Sequence, residues 1–336
     1  MAVGPVSPAV PLEATAVDDS CEARTITVSD VGEFGLIARI TDGLEAAPST
    51  LIGPGDDAAV VAAADGRVVV STDMLVEQRH FRRDWSSAED VGHKAVARAF
   101  SDISAMGALP TSLVVGFGTP PSLELAWVDG LVSGMRQECA QVEAAIVGGD
   151  ITAADVVTVA LTALGDLEGR EPVTVAGARP GDVVALCGRL GWAAAGFHVL
   201  GRGFRSPVQV VAAHRRPEPP YFEGPRAAEL GATAMTDVSD GLVGDLGTIA
   251  RASGVRIDLR ADAIVVPAKL REVGAALNVD PTVWVMTGGD DYALVATFPR
   301  GTGLPEPWAV IGAVAEGSGV KVDGRTWPVG GHEHFR

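Results

Sequence analysis

A chain of 336 residues, 47% of them hydrophobic, can bury an extensive core, and its length favours two domains over one. The formal net charge of -17 excludes the basic surface that sequence-independent nucleic-acid binding requires. The longest apolar stretch, "VVTVALTALG" (156–165), is about half of the roughly 20 residues a membrane span needs and is β-branched like a strand, so no transmembrane segment is expected.

Residues 1–29, rich in Pro, Ala and acidic side chains, have neither the basic start nor the apolar centre of a secretory signal and read as a loose leader. Cys21, Cys139 and Cys187 are widely spaced, odd in number and form no CxxC pair, which fits reduced thiols in a cytoplasmic protein. "GEFGLIARI" (32–40) sets Phe34, Ile37 and Ala38 at helical spacing and predicts the first ordered helix. "GPGDDAAVV" (53–61) then places Asp56 and Asp57 side by side between a glycine loop and an apolar run that reads as a strand. "GRVVVSTDM" reads as a strand ending in a polar turn. A capping box from Ser86 to Glu89 predicts a helix that runs to Gly107. On it Val91, Ala95, Ala99, Asp102 and Met106 share one face, so a carboxylate sits on the apolar stripe. Burying that charge requires a salt bridge, to Lys94 or Arg98, or a metal ion.

"TSLVVGFG" predicts a strand, "SLELAWVDGLVSGMRQECAQV" a helix, and "AAIVGGD" with "VVTVALTALGDL" a pair of strands across a short polar turn. A domain boundary is expected near Glu168 to Arg179. The pattern then restarts with strand "VVALCG", helix "GWAAAGFHVLG" and the Pro-rich loop "HRRPEPPYFEGP". After the acidic turn "TDVSDG" come helix "LVGDLGTIARASG", strand "VRIDL", helix "PAKLREVGAALN", and a strand, acidic turn and strand in "VWVMTGGDDYALVATF". Because strands often follow one another without a helix between, the pattern favours two α/β sandwiches over one doubly wound sheet.

Six Asp-bearing turns with small neighbours recur: "GPGDDAAVV", "STDM", "SDIS", "GGDI", "TDVSDG" and "GGDDY". Hard oxygen ligands of this kind suit Mg²⁺, which takes one or two carboxylates together with substrate phosphates. An EF-hand fails on spacing, since position 12 counted from Asp237 is Thr248, and the six histidines and three cysteines form no zinc-spaced cluster. The Walker and protein-kinase glycine loops are absent, and Lys94, Lys269 and Lys321 are the only lysines. An ATP site in this chain would draw much of its positive charge from divalent metal.

From "GEFGLIARI" to the terminal "HEHF", the set "GDDAAV", "STDMLVEQRHF", "SDISAMGA", "GGD", "TDVSDGLVGDL" and "TGGDDYAL" resembles the thiamine-monophosphate kinases of the aminoimidazole-ribonucleotide synthetase (PurM-like) superfamily. The resemblance implies two PurM-like α/β domains, here residues 30–168 and 176–336, an N-terminal sheet that pairs across a homodimer, and ATP and thiamine phosphate in a cleft between the domains. It implies Mg²⁺ ligands at Asp56, Asp57, Ser71, Thr72, Asp73, Asp102, Asp150, Asp237 and Asp240. It places ATP contacts at Gly149, Asp150 and Ser239, and substrate contacts at His80, Asp290 and His332. No general base is implied, because the acceptor phosphate is already an anion at neutral pH.

Five positions depart from the family pattern. Val175 stands where an Arg is usual, Asp290 where a Glu is usual, His332 for an aromatic residue, Gln78 for Gly and Ala99 for Asn. Gln78, Asp290 and His332 fall where substrate would be recognised, while the metal carboxylates are intact. Two other readings stay open: an ATP-dependent enzyme acting on a different phosphate, amide or carboxylate, and a nucleotide-binding chain without turnover.

Overall fold

The computed structural model describes residues 25–54 and 58–327. Asp56, Asp57 and His332 lie outside the described residues, as does Cys21. The first half contains α1 (Val28–Thr41), β1 (Thr50–Ile52), β2 (Val60–Val61), β3 (Val69–Val76), α2 (Ala88–Ala105), β4 (Leu109–Thr119), α3 (Leu125–Ala140), β5 (Ala145–Ala153) and β6 (Thr158–Asp166). β1 and β2 form a small antiparallel ribbon; β3, β6, β4 and β5, in that order, form a four-stranded sheet in which β4 and β5 run parallel. The strands of "AAIVGGD" and "VVTVALTALGDL" therefore do not pair with each other, as their sequence adjacency suggested. The longer and mostly buried β4 lies between them and takes a partner on each side. One face of this sheet packs Leu75, Leu113, Phe117, Val159 and Leu161 into a core with α2 and α3, while Val70, Met74 and Val114 remain exposed.

Gly32, with φ +68°, interrupts α1, and the turn that follows buries Leu36 and leaves Phe34 84% exposed. The expected apolar face through Phe34 and Ile37 thus points outward, and Leu36 enters the core in its place.

The second half contains β7 (Val183–Cys187), α4 (Trp192–Gly201), α5 (Val208–Arg215), α6 (Glu223–Glu229), β8 (Ala234–Val238), α7 (Leu242–Ser253), β9 (Arg256–Leu259), α8 (Ala268–Leu277), α9 (Pro281–Thr287), β10 (Ala293–Phe298), β11 (Ala309–Ala315), β12 (Gly319–Val322) and β13 (Arg325–Thr326). Its seven strands run in the order β13, β12, β9, β11, β7, β10, β8. Alternating side chains divide between two cores, as the pleat dictates. Val184, Val295 and Ile311 meet α4, α5, α7, α8 and α9, whereas Ala185, Leu294 and Phe298 meet α6 and the end of α2. "VWVM" forms α9 and not the expected strand. Asp280 caps it by accepting from the Thr282 N–H at 2.9 Å, and Pro281 occupies the first helical turn, where a missing N–H costs nothing.

α2 joins the halves. Its capping box lies one residue later than expected: Ser87 Oγ accepts from the Asp90 N–H at 3.1 Å, and the Ser87 N–H donates to Asp90 Oδ2 at 3.0 Å. It presses against α3 so closely that a Cβ at Gly92 would stand 2.2 Å from the Leu131 carbonyl. Its other sides meet β3, β6, β8, α5 and α6, so it is buried almost all round. The Pro-rich segment returns to the first core through Tyr221, whose ring stands edge-on to Phe100 at 6.2 Å and whose hydroxyl donates to Glu138 Oε1 at 2.5 Å. Among the described residues no helix is long and apolar enough to cross a membrane.

Candidate active site

The polar residues of α2 are spaced so that Lys94, Arg98, Ser101 and Asp102 fall on one side of the helix, at the junction of the halves. Lys94 Nζ donates to Asp290 Oδ2 at 2.8 Å. Arg98 forks onto Asp73 of β3, with Nε 2.5 Å from Oδ2 and Nη2 3.0 Å from Oδ1, and its Nη1 reaches Asp290 Oδ1 at 3.4 Å. Tyr292 OH also donates to Asp290 Oδ1, at 2.8 Å. Deeper along the helix, Ser101 Oγ donates to Asp237 Oδ2 at 2.8 Å and Ser71 Oγ donates to Asp102 Oδ2 at 2.5 Å. Neither Lys94 nor Arg98 bonds to Asp102. Their side chains reach past it to Asp290 and Asp73, and a serine hydroxyl partners the carboxylate instead.

Two acidic segments of the second half are fastened to each other by backbone. The Asp290 N–H donates to the Ser239 carbonyl at 2.9 Å and the Tyr292 N–H to the Val238 carbonyl at 3.0 Å. At Gly289 a Cβ would lie 2.2 Å from the Ser239 carbonyl, so the contact admits only glycine there. Asp290 itself holds φ +65°, in the left-handed region. Asp237 lies at the end of strand β8 and is buried, not in a turn as "TDVSDG" suggested; the exposed turn begins at Asp240. Asp245 at the start of α7 accepts from the Asp240 N–H at 3.1 Å and the Gly241 N–H at 3.0 Å.

The electrostatics split these carboxylates into two sets. Burial, reinforced by the neighbouring charge of Asp102, pushes Asp237 up to about 7, against the opposing Ser101 hydrogen bond. Burial also raises Asp102, with Asp73 adding repulsion. Asp245 is pushed up to about 7 by burial and by Asp240. For Asp290 burial acts upward too, but the Lys94 and Arg98 charges outweigh it and hold the carboxyl well below the usual range. The half-buried Asp102 and the buried Asp237 are thus hard oxygen donors whose repulsion a divalent cation would relieve, and by that chemistry they fit Mg²⁺. Among the described residues no three His, Cys, Asp or Glu side chains converge on one metal position; Arg98 occupies both oxygens of Asp73.

The other predicted residues make their contacts outside this cluster. Thr72 is exposed on β3, its hydroxyl bonded to the Leu161 carbonyl at 3.0 Å. Gly149 and the exposed Asp150, on β5, line a cavity of about 630 Å³ that also includes Gly53, Pro54 and Ala58, the described residues on either side of Asp56 and Asp57 in the sequence. Gly149 has a packing reason as well, since a Cβ would stand 2.2 Å from the Val115 carbonyl. His80, in the turn after β3, accepts from the Val76 N–H through Nδ1 at 2.9 Å. Gln78 in the same turn holds φ +67°, a conformation in which Gly is less strained. Val175 is half-buried, its side chain packed against the core that holds α4, α5, α7, α8 and α9. Sequence reasoning missed Tyr292, Ser101 and Asp245, and treated Lys94 and Arg98 only as partners of Asp102. The i, i+4, i+7 spacing of Lys94, Arg98 and Ser101 on an Ala-rich helix was the available signal.

The family models for AIR synthase related protein, N-terminal domain, and AIR synthase related protein, C-terminal domain, match residues 55–167 and 179–325. The chain is 47% identical to the thiamine-monophosphate kinase of Mycobacterium tuberculosis over 315 residues, 93% of this chain and 94% of that protein. It is 42% identical to that of Corynebacterium glutamicum over 279 residues, 81% and 83% of the two chains. The solved structure described as AaThiL complexed with AMPPCP and TMP superposes with a TM-score of 0.77 at 30% identity, over 93% of this chain and 99% of that one. A hydrogenase maturation protein, HypE in complex with ATP, shares the fold with a TM-score of 0.68 at 22% identity, over 83% and 84% of the chains.

Proposed function

The chain belongs to the thiamine-monophosphate kinase family of AIR synthase related proteins, and from that premise we propose that it transfers the γ-phosphoryl group of ATP to thiamine monophosphate, giving thiamine diphosphate and ADP. The observation that carries this reading is the 47% identity sustained over 93% of the chain. The structure described with AMPPCP and TMP supports ATP as the co-substrate and a small phosphate ester as the acceptor.

The chemistry needs no general base. A phosphate monoester oxygen is ionised at neutral pH, so the obstacle is repulsion between two polyanions and their alignment for in-line attack. Bound Mg²⁺ would supply the positive charge that screens this repulsion. We assign its retention to Asp56, Asp57, Ser71, Thr72, Asp73, Asp102, Asp150, Asp237 and Asp240, contacts with ATP to Gly149, Asp150 and Ser239, and contacts with the acceptor to His80, Asp290 and His332. The raised Asp102 and Asp237 support the first assignment, and the position of Asp290 at the junction of the halves supports the last. The reading divides the chain into a leader (1–29) and two domains (30–168 and 176–336), with ATP in the cleft between them and the open sheet faces of two copies paired in a homodimer. A cytoplasmic setting, where ATP is available, agrees with the free, buried thiols of Cys139 and Cys187.

Incubating the protein with ATP and Mg²⁺, with and without thiamine monophosphate, tests this by mass spectrometry. Thiamine diphosphate and ADP are expected only when both substrates are present. ATP binding without that product would assign the site to another acceptor.

A further inference from the structure

Arg98 has no part in the assignment above, yet it contacts two of the carboxylates in it. Its side chain is 15% exposed, stands 5.9 Å from the Tyr292 ring centroid, and places two donors on the two oxygens of Asp73. Its third contact, Nη1 to Asp290 Oδ1, is long at 3.4 Å, and Lys94 and Tyr292 hold Asp290 without it. Asp73 is thus fully engaged by a permanent positive charge, although the kinase reading gives that carboxylate to a metal ion. A divalent cation held by the same carboxylate would compete with the guanidinium for its lone pairs, and the two positive charges repel.

A guanidinium set free at this place would not stay unpaired. It is planar, always charged, and presents its donors as a fork that matches phosphate as well as carboxylate. It projects from α2, a helix packed on nearly every side, so the cation keeps its position at the junction when its partner changes.

We propose, on the basis of the kinase reading, that Arg98 is a stand-in cation: it neutralises Asp73 in the metal-free chain, would release that carboxylate where a divalent ion is held, and would then donate to a phosphate oxygen of the bound anion. ATP and thiamine monophosphate both offer such an oxygen. Metal and anion are thereby coupled, because the metal frees the group that receives the phosphate.

The test uses the full chain and its Arg98→Gln variant. Mn²⁺ alone is titrated against each and followed by the electron paramagnetic resonance of the free ion; AMPPCP and thiamine monophosphate are then titrated separately by calorimetry at saturating Mg²⁺. Removing the competing charge should tighten Mn²⁺ binding about tenfold, while affinity for the phosphate ligand that Arg98 serves should fall about tenfold. The ligand that weakens identifies the phosphate. Unchanged or weaker Mn²⁺ binding overturns the stand-in role, and unchanged affinity for both ligands overturns the phosphate role. A residue that merely supports the fold would weaken every ligand together. If Arg98→Gln does not fold, Arg98→Lys, which keeps the charge but cannot fork, is read in the same way, with Mn²⁺ binding about twofold tighter. Wild-type product formation is measured beside it. Thiamine diphosphate with unmoved Mn²⁺ binding defeats this inference and leaves the kinase reading standing; tightened Mn²⁺ binding without thiamine diphosphate does the reverse for the two.

Discussion

Asp237 concentrates the conflict in this site. It is buried at the end of β8, accepts one hydrogen bond from Ser101, and feels the charge of Asp102, so its carboxyl is pushed up to about 7 from an unfolded value of 3.8. A group with a raised folded pKa contributes stability that is fully present below the unfolded value and is lost as pH rises through the folded one. Without metal, the chain should therefore lose this contribution between about pH 4 and pH 7, and ionised Asp237 should be a liability at pH 8. Asp237→Asn keeps an oxygen for the Ser101 hydroxyl and removes the charge. In EDTA at pH 8 it should be more stable than wild type by on the order of 1–3 kcal/mol and so melt at a higher temperature, with the gap closing at pH 4. The same variant should lose most of its turnover, since a proposed metal ligand is gone. Equal melting curves for the two proteins at pH 8 would show that Asp237 carries no electrostatic cost.

At the scale of elements, α9 shows what a short segment can hide. Seven residues containing Val, Trp, Val and Met fit a strand as well as a buried helix turn, because so brief an apolar run has no readable period. The deciding signal was Asp280 followed by Pro281, an N-cap and a first-turn proline. Asp280→Ala should cost about 1 kcal/mol in urea unfolding. Because α9 leads directly into Gly288, Gly289 and Asp290, the loss should also raise KM for the acceptor more than it lowers kcat; a variant as stable as wild type would show that the cap is idle. α2 was easier to read, its serines and Ala-rich body marking both ends to within a residue or two. Asp102 was legible as a carboxylate in need of a partner because it falls on an apolar stripe, whereas Asp73 and Asp237 stood out only as acids recurring beside small neighbours. Lys94, Arg98 and Tyr292 were not legible as a group. The spacing of Lys94 and Arg98 marks one side of α2, but Asp290, which both contact, lies 196 residues from Lys94 along the chain. Likewise, the insertion of β4 between β5 and β6 depends on which strand is buried on both edges, a property of the assembled sheet.

At the scale of the whole molecule, the two halves are held by α2 and by Tyr221, while among the described residues one apolar face of the first sheet stays exposed. Val70 and Met74, on β3, are 59% and 51% exposed, and Val114, on β4, is 37% exposed. Registry puts them on one side: Thr72 pairs with Thr162 and Thr162 with Val114, so the residues two along, Met74, Ala160 and Gly116, continue the same face. A sheet normally covers an apolar face of this kind, and β3 also leaves one edge of the sheet open for backbone pairing. A second copy of the chain meets both demands at once, because a two-fold axis brings identical apolar patches and identical edges together. Light scattering after size exclusion should then give twice the mass of one chain at micromolar concentration. Met74→Asp should yield a single-chain species, since pairing would bury two carboxylates near the axis with no cation beside them. Its melting temperature should lose the concentration dependence expected of the wild type. A wild type that elutes as a single chain at every concentration, or a Met74→Asp variant that remains paired, would place the contact elsewhere or remove it.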